Sequence, residues 1–492
     1  MENRSFKYVQ LSLSFFLSLV IVFCGLKTNA DEKPYLSGDS LKKTYSEIVK
    51  NEGGLSIRVP IDYKDHSKGM TPIYFFFLTQ FNPNKPTIAI FTGGPGGAAH
   101  GSTRKANGQF SYADANILMF DQRGIGFSRP EERAMFENPD FYDSEATARD
   151  LDEIRKYLKI QKIIVFGGSY GTVPATIYGS LFEKNTIAVL FEGTFFGGFD
   201  FYYRSNILPT KIQSLFNSLP ADVREKINLF SDTPSHPVGY HEEINGSVAQ
   251  SVDTSIFTFK NRTFFPTMTK SILGVYGDLD FNIFSAAFLE ATSELNLESA
   301  QKVFIEKINK LFATKSERKP SLPEELTHAN PAHFILNCKE LGMYSNDFSD
   351  TIELAENTIR WVDAQTASSS VPKNSYLSSC RHYLPIEKIH LFDATKWPLR
   401  VPVTYFQGES DPATLLIGAT EHYKKVALGP KQMLVFKQGG HGPIGQFLSV
   451  ANESQKKFLT VILSQGLMGR EIHKLRVDQF NSVGRLKVDL LR

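Results

Sequence analysis

Short apolar runs and amphipathic stretches alternate along two separated parts of the chain. Residues 55–63, L-S-I-R-V-P-I-D-Y, alternate apolar with polar positions and stop at a Pro and an Asp. Residues 73–79 are a second β-rich run, and together the two predict an antiparallel opening to a sheet. The runs at 87–91, 117–120, 163–166 and 187–191 are continuously apolar, the pattern of strands buried on both faces. Between them, 146–158 places Leu151, Ile154 and Leu158 on one helical face. Residues 172–182 read as a second helix, with apolar Val173, Ala175, Ile177, Tyr178 and Leu181. Strands alternating with helices predict an α/β fold with a mostly parallel, doubly wound sheet. The alternation lapses over 195–395. Helical stretches at 210–219, 300–312 and 351–362, separated by polar, Pro-rich linkers at 231–238 and 315–325, predict an inserted helical lid. The strand pattern resumes at 401–406 and 432–436, the second of these read as the last strand, and a helix at 453–465 closes it. The expected organisation is one core in two parts, 31–194 and 396–492, with the lid (cap) at 195–395 and residues 1–30 apart from both.

The strand at 163–166 runs into Gly167, Gly168, Ser169, Tyr170, Gly171 and Thr172, and a helix follows. Strand, G-x-S-x-G turn and helix are the context of a nucleophile elbow, which lifts a serine hydroxyl out of the sheet on a strained turn. The first amides of the following helix then point to where an oxyanion would form. A second Gly-rich turn, Gly93-Gly94-Pro95-Gly96-Gly97, follows the strand at 87–91. It lacks a Lys at Walker spacing and is not G-x-G-x-x-G, so it does not read as a nucleotide cradle.

A serine hydroxyl is a weak nucleophile at neutral pH and needs a base, which in turn needs an orienting carboxylate. On an elbow-bearing sheet the chain order is Ser, then Asp or Glu, then His. Asp411 and His441 lie on turns just after the last two predicted strands, and strand ends of an open α/β sheet share one edge with the elbow. Of the 11 histidines, His441 alone sits in a Gly-flanked turn after a C-terminal strand. The bland alternatives are an Asx turn before a proline for Asp411 and an exposed loop histidine for His441. Taken with the elbow, Ser169, Asp411 and His441 are the candidate catalytic residues, with the Gly94 and Tyr170 amides as the candidate oxyanion hole.

Composition narrows the field. The 492-residue chain is 41% hydrophobic and 22% charged, with a formal net charge of +2, an ordinary globular balance that offers a nucleic acid nothing to hold. The N-terminus carries Arg4 and Lys7, then a serine-interrupted apolar stretch, then the small residues Thr28, Asn29 and Ala30. This is the three-part pattern of a signal peptide cut after Ala30, with a membrane anchor as the alternative. Removal implies a secreted or periplasmic protein without a stable membrane anchor. It leaves two cysteines, Cys338 and Cys380, which either pair or stay as buried thiols. CxxC and HExxH spacings are absent, so no metal is expected, and acyl transfer through the candidate triad needs no cofactor. Oligomeric state has no signal in the sequence.

Six segments resemble the α/β-hydrolase family of proline iminopeptidases and secreted tripeptidyl aminopeptidases. They are V-P-I-D-Y at 59–63, G-G-P-G-G at 93–97, F-D-Q-R-G-I-G-F-S at 120–128, G-G-S-Y-G-T at 167–172, G-E-S-D-P-A-T at 408–414 and G-G-H-G at 439–442. The resemblance covers about 55–230 and 380–465 and leaves the middle of the lid uncovered. It implies an α/β-hydrolase fold and a serine exopeptidase acting on peptides with free N-termini. The alternative is a carboxylesterase or lipase acting on small or acyl esters, since one triad serves both chemistries. Cys338 and Cys380 fall where the secreted branch often has lid cysteines, which implies a disulfide. Thr92 stands where iminopeptidases usually have His, and Glu192 where relatives usually have Asp. An aminopeptidase needs a carboxylate for the substrate ammonium. Glu192 is one candidate, with a structural hydrogen bond as its alternative, and Glu242 and Glu243 are weaker ones.

Overall fold

The computed structural model describes residues 54–78, 80–99, 109–198, 201, 221, 331–342, 384, 388–409, 411, 413–437 and 439–492. The segment 1–30, the three helical stretches expected in the lid, Glu242, Glu243 and Cys380 lie outside them. Two compact units divide the chain. One comprises Met1–Asn29, Asp200–Ser321 and Ser345–Ser378, and the other Ala30–Phe199, Leu322–Tyr344 and Ser379–Arg492. Nearly all described residues belong to the second, so Leu322–Tyr344, inside the expected insertion, groups with the sheet.

That unit is built on one nine-stranded sheet. In chain order its strands are β1 (Leu55–Pro60), β2 (Met70–Phe77), β3 (Thr87–Phe91), β4 (Asn116–Phe120), β5 (Ile163–Gly168), β6 (Thr186–Glu192), β7 (Val403–Gly408), β8 (Lys431–Phe436) and β9 (Val488–Leu491). Across the sheet they run β1-β2-β4-β3-β5-β6-β7-β8-β9. Pairing is antiparallel at β1–β2, β2–β4 and β8–β9 and parallel from β4 through β8. The continuously apolar runs become the central strands, and β3 and β4 are buried at every position. Residues 432–436 are not the last strand. β9 follows and pairs antiparallel with β8. Its four residues, V-D-L-L, are too few for a period-2 pattern to register, and only Val488 is buried.

Helices α1 (Ser144–Tyr157) and α2 (Thr172–Leu181) pack on the sheet. They are followed by α3 (Pro331–Lys339), α4 (Leu416–Lys425), α5 (Pro443–Val450), α6 (Glu453–Leu467) and α7 (Lys474–Ser482). α1 starts two residues before its apolar stripe because Asp143 caps it, accepting the Glu145 and Ala146 amides. Among the described residues, no helix is long and apolar enough to cross a membrane.

The F-D-Q-R-G-I-G-F-S segment ties this scaffold together. Arg123 and Asp150 are both fully buried. The guanidinium donates to both oxygens of Asp150, at 2.6 and 2.9 Å, and to the carbonyls of Pro60, Ile61 and Phe141. Tyr63, the last residue of V-P-I-D-Y, donates to the same carboxylate at 2.8 Å. Asp121 accepts the Ala99 and Phe127 amides, and Ser128 donates to the Asp121 carbonyl while accepting the Tyr74 amide. These two sequence segments therefore join β1, β4 and α1.

Candidate active site

Parallel strands send their C-terminal ends to one edge. The Gly-rich loop follows β3, Ser169 follows β5, Gly193 follows β6, Asp411 follows β7 and His441 follows β8. Ser169 is half-buried with φ +56°, a left-handed conformation rare for a residue with a Cβ. Its flanks must be glycine on steric grounds. A Cβ on Gly171 would lie 2.2 Å from the Phe91 carbonyl oxygen, and one on Gly167 would lie 2.4 Å from that of Gly171. Thr172 closes the turn by donating to the Ser169 carbonyl at 2.7 Å.

Asp411 is fully buried and accepts from the Ala413 and Thr414 amides, from Thr414 Oγ1 and from Gln407 Nε2. His441 Nδ1 donates to its two oxygens at 3.1 and 3.0 Å. Those donors fix the carboxylate, and the carboxylate fixes the imidazole tautomer with Nδ1 protonated. His441 Nε2 is buried without a hydrogen-bond partner. The ring reaches back across the sheet edge, because a Cβ on Gly193 would lie 3.0 Å from its Cε1. Glycine at 193 thus lets an imidazole from the β8 turn lie over the end of β6, the strand next to the elbow. No hydrogen bond joins Ser169 Oγ to Nε2 in this structure, as is common before substrate binds.

The two candidate oxyanion donors come from separate loops. Tyr170 lies in the first turn after β5, where amides have no intrahelical acceptor. The loop bearing Gly94 is held by Thr92, whose hydroxyl donates to the Gly97 carbonyl at 2.6 Å, and by Gln122, which donates to the Thr92 carbonyl at 2.9 Å. Thr92 therefore works here as a loop clasp.

Glu192 is buried at the end of β6. One oxygen accepts Gln109 Nε2 at 2.8 Å and the other the Ile444 amide at 3.1 Å, in the first turn of α5. Its charge lies at a helix N-terminus, where it is favoured, and ties the chain just after His441 to the sheet. Cys338 is fully buried and disulfide-bonded, and Cys380 lies outside the described residues. Among the described residues, no group of three His, Cys, Asp or Glu is arranged to hold a metal ion.

Several residues of this site carried no sequence signal. Gln407 and Thr414 bracket Asp411, and the Gln407 side chain also accepts the Thr194 amide at 3.0 Å, joining the β6 and β7 ends. Gln407 stands just before the G-E-S-D-P-A-T segment and Thr414 is its last residue, but neither position showed its role. Glu340, buried just after α3, accepts the Ser144 amide at 2.8 Å and the Ser144 hydroxyl, from 196 residues away. Burial, with Asp143 beside it, pushes the Glu340 carboxyl up to about 7 from an ordinary 4.5. A carboxyl whose folded pKa lies above its unfolded one keeps its proton longer in the folded chain. Its contribution to stability is complete below about 4.5 and falls as pH rises to about 7. Denaturation at about pH 5 and about pH 8 checks this, and the difference between the two should shrink in Glu340→Gln. His422, by contrast, is a core residue held between Tyr405 and Thr176, and burial lowers its pKa to about 3.

With this geometry in hand, the chain has the α/β-hydrolase fold. The family described as alpha/beta hydrolase fold matches residues 86–215. In sequence, part of the chain is similar to proline iminopeptidases. That of Arabidopsis thaliana is 27% identical over 176 residues, covering 35% of this chain and 42% of the relative. That of Xylella fastidiosa (strain Temecula1) is 33% identical over 114 residues, covering 23% and 34%. The chain thus covers about two-fifths or less of these relatives' lengths. A solved Mycobacterium smegmatis proline iminopeptidase aligns over 84% of this chain and 99% of its own, at 12% identity and a TM-score of 0.39.

Proposed function

We propose that this chain is an exported serine hydrolase that removes residues or short peptides from free peptide N-termini. One observation carries the hydrolase reading. His441 is held through Nδ1 by buried Asp411, with its buried Nε2 unpartnered, on the sheet edge where Ser169 stands at φ +56°. In the proposed reaction His441 Nε2 takes the Ser169 proton as Oγ attacks the substrate carbonyl. The tetrahedral oxyanion is held by the Gly94 and Tyr170 amides. Collapse expels the amine, which takes the proton from His441, and leaves an acyl-enzyme. Water, deprotonated by His441, then cleaves the ester and restores Ser169. Asp411 orients the ring and stabilises its charged form throughout.

The exopeptidase part is supported by similarity to proteins named proline iminopeptidase. Export is supported by the charged, apolar and small-residue pattern of 1–30 and by the disulfide at Cys338, since disulfides persist in oxidising compartments. The test is release of nitroaniline from prolyl, alanyl and tripeptidyl nitroanilides, each free and N-acetylated, beside a short-chain nitrophenyl ester. Free-amine substrates are expected to turn over about 100-fold or more faster than their blocked partners, because an ammonium site left unfilled is costly. Turnover of the ester alone would overturn the exopeptidase reading in favour of an esterase.

A further inference from the structure

An oxyanion hole works only if its donors sit 2.7–3.1 Å from one oxygen, and roughly 1 Å of misplacement far from the chemistry can cost 10²-fold. Here the two candidate amides belong to loops after different strands, β3 and β5. Something must hold the loops in register. Helix α3 and the residue after it reach both, the first loop directly and the second through Ser144. His333, in its first turn, meets the Pro95 carbonyl through Nδ1 at 2.7 Å, one residue after Gly94. Pro95 O is acceptor-only, so Nδ1 carries a hydrogen and donates. Glu340, the residue just after α3, takes the Ser144 amide and hydroxyl. Ser144 Oγ in turn lies 2.7 Å from the hydroxyl of Tyr170, the residue after the candidate nucleophile.

The helix is itself fixed. Cys338 is disulfide-bonded, Lys339 Nζ donates to the Tyr142 carbonyl at 2.9 Å, and the Lys339 and Glu340 carbonyls accept the His390 and Phe392 amides. Glu340, Ser144 and Tyr170 are all buried. We propose that α3 braces the oxyanion hole from behind, with His333 and Glu340 as positioning residues for the Gly94 and Tyr170 amides. This rests on the serine-hydrolase reading.

A count of protons gives the brace a direction. Ser144 has one hydroxyl proton and donates it to the Glu340 carboxylate, so Tyr170 must donate to Ser144 Oγ. If Glu340 is protonated, it donates to Ser144 Oγ, Ser144 turns its proton to Tyr170, and the buried Tyr170 O–H loses its acceptor. The titratable groups facing Glu340 among the described residues are Asp143, Lys339 and Tyr170. Asp143 opposes ionisation and Lys339 favours it. The relay is therefore intact above about pH 7 and reversed below it.

The experiment uses the full chain, with a nitrophenyl ester as substrate, a fluorophosphonate label for Ser169, and phenylboronate, whose tetrahedral adduct places an oxygen in the hole. Tyr170→Phe removes one hydroxyl, and Glu340→Gln mimics the protonated carboxyl. Each should lower kcat about tenfold and raise the boronate Ki by the same factor, with KM within about twofold and melting temperature kept. Wild-type activity should fall as pH drops through about 7, where Glu340 takes up its proton, and Glu340→Gln should lack that step. An active wild type whose two variants keep wild-type kcat, Ki and acid limb overturns the brace, as does a rise in KM at unchanged kcat. A wild type that neither turns over the ester nor takes the label overturns the hydrolase reading, and the brace with it.

Discussion

Ser169→Ala should lose about 10⁴–10⁶-fold in hydrolysis of any substrate the wild type accepts, with no loss of melting temperature. The size follows from the role. Without Oγ there is no acyl-enzyme, and what remains is water attack on a carbonyl polarised by the oxyanion amides. The fold should tolerate the change, because serine and alanine carry the same Cβ at φ +56° and the substitution removes only the hydroxyl. Asp411→Asn should cost about 10⁴-fold by a different route. With its amide oxygen held by the Ala413 and Thr414 N–H groups, asparagine turns its NH2 toward Nδ1, which must then accept, so the imidazole settles in the wrong tautomer. Steady-state rates and intact-mass detection of fluorophosphonate labelling measure both. Full activity in Ser169→Ala would remove the serine from the mechanism and with it the proposed function.

Asp150→Ala should destabilise the fold by about 3–5 kcal/mol, a large fraction of the roughly 5–15 kcal/mol that holds a typical domain together. Arg123 is buried to 1% exposure, and Asp150 is its charge partner through two hydrogen bonds. Removal of the carboxylate strands a guanidinium away from water, still held by the Pro60, Ile61 and Phe141 carbonyls. It also takes the acceptor from Tyr63. The surface pair Arg133–Glu137, about half exposed, sets the contrast, since pairs of that kind contribute less than about 1 kcal/mol. Urea denaturation of both alanine variants, with the label as a check on the site, compares them. A loss at Asp150 no larger than at Glu137 would mean that the buried pair holds nothing together.

How much was legible depended on distance along the chain. The central strands were readable because a strand buried on both faces has no choice but a continuous apolar run, and β3 matches its predicted bounds. The elbow was readable because steric demand at 167 and 171 leaves only glycine. The polar residues that hold the site in place were not readable. Gln407 meets Thr194, Gln109 meets Glu192, and Glu340 meets Ser144, partners 213, 83 and 196 positions apart. A lone Gln or Glu in a sequence looks the same whether it is solvated or buried on a distant amide.

Glu192 shows the division most plainly. The sequence placed it at the end of an apolar strand on the candidate catalytic edge and left it two roles. Only the folded chain brought Gln109 and the Ile444 amide to its two oxygens. By itself, then, the sequence determined the strand–helix alternation, the glycine-bracketed serine and the order Ser, Asp, His, because local sterics and burial periodicity act over a few residues. Tertiary structure alone decided which polar groups meet behind those residues, because a buried hydrogen bond is a property of two chain segments and neither carries a record of the other.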